Sequence, residues 1–208
     1  LAPDISLKES EVVAERSQLR SGQHMFVHLY LRDSEGYPIL DNRLNISFFI
    51  SEGTSTGNFG PVLYHGRGDY SIQFTAEKMG TPIKFNAKIN GKVLSSKILT
   101  QVVGGVPSAE NSDVLVESGV IVEGNRIEGI IILRDVHYNP AIRTNSRVFL
   151  SMVGGTSQGT FTEVEVLQNN SIYFKYAANK RGSPTFIKVT IDGEEVILDR
   201  QLFQVISP

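Results

Sequence analysis

Apolar and polar residues alternate along most of the chain, which is the period of a strand with one face buried. Met25, Val27, Leu29 and Leu31 fall on one side of such a strand, Leu44, Ile46, Phe48 and Ile50 on one side of a second, and Phe85, Ala87 and Ile89 on one side of a third. Ile131 with Leu133, then Val148, Leu150 and Met152, then Ile187, Val189 and Ile191 repeat the series later in the chain. Turn-forming stretches separate the runs: SEGYP, EGTSTG, HGRGD, EKMGTP and INGK. No segment carries a sustained helical period. The pattern predicts an all-β chain of short strands, with Asn90-Gly91 and Asp192-Gly193 as two-residue type I′ hairpin turns, because both central residues of that turn need positive φ.

The series is an internal repeat. Leu31 to Phe59 lies over Leu133 to Phe161 without gaps at an offset of 102 residues. Leu31/Leu133, Arg32/Arg134, Asp33/Asp135 and Pro38/Pro140 are identical, as are Gly53/Gly155, Thr54/Thr156, Ser55/Ser157, Gly57/Gly159 and Phe59/Phe161. Beyond Phe59, matching Ser71, Ile72 and Phe74 to Ser171, Ile172 and Phe174 requires the second copy to lose two residues, which it regains before Gly80/Gly182. Gly104 to Ser108, GGVPS, reads as a short linker, giving repeats at residues 1–103 and 104–208. Copies of this length, each with about seven predicted strands, suit two tandem immunoglobulin-like β-sandwich domains. So short a linker predicts an elongated, restrained pair.

Composition narrows the function classes. With 208 residues, 40% of them apolar and 20% charged, the chain is suited to a packed core. A net charge of −2 without any Lys/Arg run argues against a nucleic-acid partner. There is no cysteine, so disulfides, thiolate metal sites and cysteine nucleophiles are excluded. No apolar run reaches the roughly 20 residues of a membrane-spanning helix. A start at Leu1, with neither methionine nor leader, reads as a segment of a longer protein.

Leu31-Arg32-Asp33-Ser34-Glu35-Gly36-Tyr37-Pro38, Gly68-Asp69-Tyr70-Ser71-Ile72, and the run from Lys78-Met79-Gly80-Thr81-Pro82 to Asn90-Gly91 resemble the bacterial Ig-like repeats of invasin and intimin type. The second copy departs at His137-Tyr138-Asn139-Pro140 and at Asn169-Asn170-Ser171. The resemblance spans nearly all of both copies, and filamin-type repeats share much of its turn chemistry. It implies a stalk, spacer or adhesion module on a cell surface, facing a protein partner or host receptor, with no cofactor and no catalysis. Similarity to filamin-type repeats implies instead a scaffold whose exposed strand edge accepts a partner strand.

The sharpest short motif is Arg67-Gly68-Asp69, which resembles an integrin-recognition tripeptide, a cation and a carboxylate held at fixed separation. The same residues are accounted for by a turn and a strand start, and that reading is preferred. His24 and His28 would share the face opposite the core and lack further ligands, and His65 and His137 read as loop residues. Asp33 with Glu35, and Asp135 alone, offer oxygens to calcium but fall short of the six or so it needs, so a solvated turn is the simpler account. The Glu163/Glu165 and Glu194/Glu195 pairs read as exposed polar positions. No serine stands in a G-x-S-x-G elbow, and GGTSQGT lacks the lysine and following helix of a phosphate loop, so no enzyme is expected. Phe26 and Tyr30, with Ile130 and Ile132, fall opposite the core face, where they pack on a partner or are turned inward by a bulge. The second copy carries the more acidic balance, and the first, which keeps the family's turns and the tripeptide, is the one to test for binding.

Overall fold

A computed structural model describes residues 4–41, 43–143 and 145–208. The chain divides into two compact units, Leu1–Val103 and Gly104–Pro208, each with its own hydrophobic core. The first contains β1 (Glu11–Ala14), β2 (Gln18–Arg20), β3 (His24–Tyr30), β4 (Ile46–Ser51), β5 (Gly57–Gly66), β6 (Asp69–Ala76), β7 (Ile83–Ile89) and β8 (Lys92–Val103). These form two four-stranded sheets, β1-β3-β6-β5 and β2-β8-β7-β4, antiparallel throughout except that β2 runs parallel to β8. The first strand is thus cut between Ala14 and Gln18, its halves joining opposite sheets, so a unit has eight strands where about seven are expected of the fold.

The second unit repeats this order with β9 (Asp113–Val116), β10 (Val120–Val122), β11 (Arg126–Ile132), β12 (Val148–Val153), β13 (Gln158–Val166), β14 (Ile172–Lys180), β15 (Thr185–Ile191) and β16 (Glu194–Ile206). Its sheets are β9-β11-β14-β13 and β10-β16-β15-β12, again with one parallel pair, β10 with β16. The alternating residues point inward as the pattern requires: Met25, Val27, Leu29, Phe85, Ala87 and Ile89 are buried, as are Ile131, Ile187, Val189 and Ile191. Asn90 and Gly91 adopt φ of 46° and 92°, and Asp192 and Gly193 adopt 49° and 90°, as type I′ hairpins demand.

The register corrects one expectation. Met25 pairs with Phe74 and Val27 with Ile72, whereas Ile127 pairs with Tyr176 and Gly129 with Phe174. The offset of 102 therefore continues through β6 and β14, and the second copy neither loses nor regains two residues there. Phe74 corresponds to Tyr176, and Ile72 to Phe174. The single length change lies in the last strand, where Leu19 meets Val102 but Ile121 meets Val205, one residue further on. The irregularity that absorbs it lies on β16 between Leu198 and Phe203, which pair with Ile187 and Thr185 of β15.

Candidate functional site

Arg67-Gly68-Asp69 closes the β5–β6 hairpin. Arg67 and Gly68 both have positive φ, 54° and 74°, and Asp69 opens β6. A side chain at position 68 is excluded, because a Cβ there would stand 2.6 Å from the Leu31 carbonyl oxygen and 3.0 Å from the Ile39 nitrogen. Leu31 N donates to the Gly68 carbonyl at 2.8 Å, tying the turn to the chain that leaves β3. The Asp69 carboxylate is engaged within the unit. Arg32 Nη1 donates to Asp69 Oδ1 at 3.0 Å, to the Leu31 carbonyl at 2.9 Å and to the Arg67 carbonyl at 3.3 Å. Of the three residues only Arg67 is exposed.

In the second unit the same place holds Asn169-Asn170-Ser171, with Asn170 supplying the positive φ of 60°. Arg134, the counterpart of Arg32, finds its carboxylate elsewhere and donates to Asp113 Oδ2 at 2.7 Å and to the Asn111 carbonyl at 3.2 Å. Each unit thus has an arginine at this position, Arg32 paired with a hairpin aspartate in the first and Arg134 with a first-strand aspartate in the second. The identity Arg32/Arg134 was visible in the sequence, but its two carboxylates lie at unrelated positions and could not be paired by alignment.

Asp33 and Asp135 organise the turns that follow β3 and β11. Asp33 Oδ1 accepts from Glu35 N at 3.0 Å and from Tyr37 N at 2.8 Å. Asp135 is buried: its Oδ1 accepts from His137 N and Asn139 N at 2.8 and 3.0 Å, and its Oδ2 from Gly105 N at 2.8 Å and Asn139 Nδ2 at 2.9 Å. Burial works to raise the Asp135 pKa, but the bonds from the Asn139 amide and from the Gly105, Asn139 and His137 N–H groups outweigh it and hold the carboxyl below its ordinary value. Both Asp135 oxygens and Asp33 Oδ1 thus face N–H donors. Among the described residues no group of three or more His, Cys, Asp or Glu is arranged to hold a metal ion.

The remaining candidates are bonded within their own sheets. His28 Nε2 lies 3.2 Å from Glu15 Oε1, and Glu15 Oε2 accepts from Phe26 N at 2.9 Å. The Phe26 bond leads in lowering the Glu15 pKa. His65 lies in β5, not in a loop, because the strand runs to Gly66; its Nε2 is 2.7 Å from Ser71 Oγ. Glu163 pairs with Lys175 at 2.7 Å and Glu195 with Lys188 at 2.9 Å. GGTSQGT leads into β13, a strand, without a helix to receive phosphate. Phe26 and Tyr30 stay on the outer face of β3, half-buried, since β3 pairs with β6 without a register shift and no bulge turns them inward. His28 lies between them, its ring stacked at 6.0 Å on that of Tyr30.

The most heavily repeated stretch, Gly53-Thr54-Ser55 with Gly57, is a packing corner. A Cβ at Gly53 would overlap the Pro82 carbonyl, and one at Gly155 the Pro184 carbonyl. Ser55 Oγ accepts from Val102 N, and Ser157 Oγ from Val205 N, each at 3.0 Å. Identity between the copies at these positions reports close packing of the β4–β5 connection on the Pro82 and Pro184 segments and on the last strand of each unit.

Two β-sandwich units of one topology define a tandem of Ig-like folds. No family model and no curated protein matches the sequence. Among solved structures, the Escherichia coli adhesin FdeC shares the fold at a TM-score of 0.71 and 16% identity, over 99% of this chain and 66% of that one. Invasin, described as a bacterial integrin-binding protein, does so at 0.59 and 18%, over 100% of this chain and 42% of that one. The chain therefore spans less than two thirds of either.

Proposed function

We propose that the chain is a non-enzymatic, surface-exposed Ig-like tandem that serves as a stalk or adhesion module of a longer protein. The observation that carries this reading is the repetition of one framework, in which Asp69, Asp135, His28 and Glu163 are all bonded to neighbouring groups of the same unit. The descriptions of FdeC as an adhesin and of invasin as an integrin-binding protein support it. Antibodies raised against the folded chain are expected to label intact cells of its source. Labelling that appears only after lysis removes the reading.

A second reading, receptor recognition by Arg67-Gly68-Asp69, is favoured by the place of the tripeptide at a hairpin tip with Arg67 exposed. It must contend with the Arg32–Asp69 bond, which a receptor would have to compete for. Cells plated on the immobilised chain decide it. Attachment lost in Asp69→Glu, with the melting temperature kept, supports recognition; attachment that survives leaves the tripeptide a turn.

A further inference from the structure

An asparagine side chain is open to attack by the backbone nitrogen of the next residue, most of all where that residue is glycine and carries no side chain to obstruct the approach. Asn90-Gly91 is the one Asn-Gly pair in the chain. It forms the exposed tip of the hairpin between β7, which ends at Ile89, and β8, which begins at Lys92. A Cβ added at Gly91 would meet nothing within 4 Å, so water and a small ring have room there.

Two hydrogen bonds restrain the reaction. Asn90 N donates to the Asn45 carbonyl at 3.0 Å, and Asn45 N donates to Asn90 Oδ1 at 3.0 Å. The side-chain carbonyl, whose carbon Gly91 N would attack, is thereby tied to the chain that enters β4, an edge strand. Asn90 Nδ2 makes no hydrogen bond among the described residues, so the fold uses only the oxygen of this amide. The second unit shows what a carboxylate does at the same place. Asp192 N donates to the Arg147 carbonyl at 3.0 Å, and Asp192 Oδ1 accepts from Arg147 N at 2.9 Å. Aspartate and asparagine thus make the same pair of bonds, each with positive φ.

We infer that Asn90 is a site of hydrolytic deamidation, protected while Asn45 holds its side chain, and that the fold accepts the aspartate product and rejects the isoaspartate. Gly91 N bonds to Asn90 Cγ, its proton passes through water to Nδ2, and the Cγ–Nδ2 bond breaks with loss of ammonia. Water then opens the resulting imide at Cγ to give aspartate, or at the backbone carbonyl carbon to give isoaspartate. Aspartate can remake both bonds to Asn45, as Asp192 makes its own to Arg147. Isoaspartate adds an atom to the main chain inside a two-residue turn whose flanks, Ile89 and Lys92, are paired. The accepted product places a negative charge between Lys88 and Lys92 in the sequence. The inference is independent of the surface location proposed above, because its test reads the turn alone.

The full chain, aged in mildly alkaline buffer and mapped by peptide mass, is expected to convert at Asn90 ahead of every other asparagine. Its rate should lie about tenfold to a hundredfold below that of the free peptide Lys-Ile-Asn-Gly-Lys-Val, because two hydrogen bonds must open first. In denaturing urea the two rates converge. Asn45→Pro, which removes the donor to Oδ1, should raise the folded rate about fivefold, whereas Asn45→Ala, which keeps that N–H, leaves it within about twofold. Asn90→Asp tests the product without touching Asn45 and should melt within about 2 °C of the parent. The isoaspartyl form, separated from the aged chain, should melt lower. A folded rate equal to that of the peptide, another asparagine converting first, or no conversion at Asn90 while the denatured chain converts would overturn the proposal. So would an isoaspartyl form as stable as the parent.

Discussion

Gly129 lies in the middle of β11, where a strand ordinarily avoids glycine. Its partner across the sheet explains it. A Cβ at position 129 would stand 2.6 Å from the Phe174 ring and 2.5 Å from Val116, while the corresponding pair in the first unit is Val27 opposite Ile72. The two units place similar volume at one point of the core by opposite routes, large beside small or medium beside medium. Gly129→Val should therefore cost about 2–3 kcal/mol by overpacking, and Phe174→Ile in the same chain should return part of that loss. Urea unfolding of the four members of the cycle measures the coupling, and additive costs would refute it. Tyr176 poses a simpler case. Burial raises its pKa, its hydroxyl has no hydrogen-bond partner among the described residues, and the first unit holds Phe74 at the same site. Tyr176→Phe should leave stability unchanged or raise it by about 1 kcal/mol, since a buried unsatisfied hydroxyl is removed.

At the scale of elements, the strands were legible and their alignment only partly so. Alternation identified the buried faces of β3, β4, β7, β12 and β15 because each core residue there is apolar and two places from the next. It could not place β14 against β6. Sliding a strand by two residues keeps every side chain on its own face, so Ile172 and Phe174 imitate Ile72 and Phe74 while the hydrogen-bond ladder pairs them two places away. The candidate site was less legible still. The Arg67–Asp69 turn was visible as a turn, but the bond from Arg32 that holds Asp69 spans 37 residues and has no counterpart in the second copy. Asp135 belongs to this scale because it holds a whole turn. Its folded pKa is lowered, so its contribution is fully present above the ordinary aspartate value of about 4 and is lost as pH falls through the lowered value. Asp192, lowered chiefly by the bond from Arg147 N, has the same sign. Asp135→Ala should destabilise the second unit by about 3 kcal/mol near neutral pH and flatten its acid-induced loss of stability, as thermal melts from about pH 6 down to about pH 2 would report.

For the molecule as a whole, the question is where one unit ends and the next begins. Sequence alone read Gly104 to Ser108 as linker. In the structure Gly104 packs so closely on Pro140 that a Cβ would overlap the Pro140 carbonyl, Gly105 N donates to the buried Asp135 carboxylate, and Ser108 N donates to the Arg134 carbonyl at 2.8 Å. The first residues after Val103 are therefore bonded to the turns of the second unit, consistent with a division between 103 and 104. Each unit owns a complete core, so each should fold when made alone, provided the cut respects these bonds. A fragment of residues 104–208 is expected to melt cooperatively. One of residues 106–208 forfeits a hydrogen bond to a buried carboxylate and the Gly104 packing, a loss of about 2 kcal/mol, which in a domain of this size lowers Tm by roughly 10 °C. Equal midpoints for the two fragments would show that the stretch is a free linker after all and move the boundary beyond Gly105.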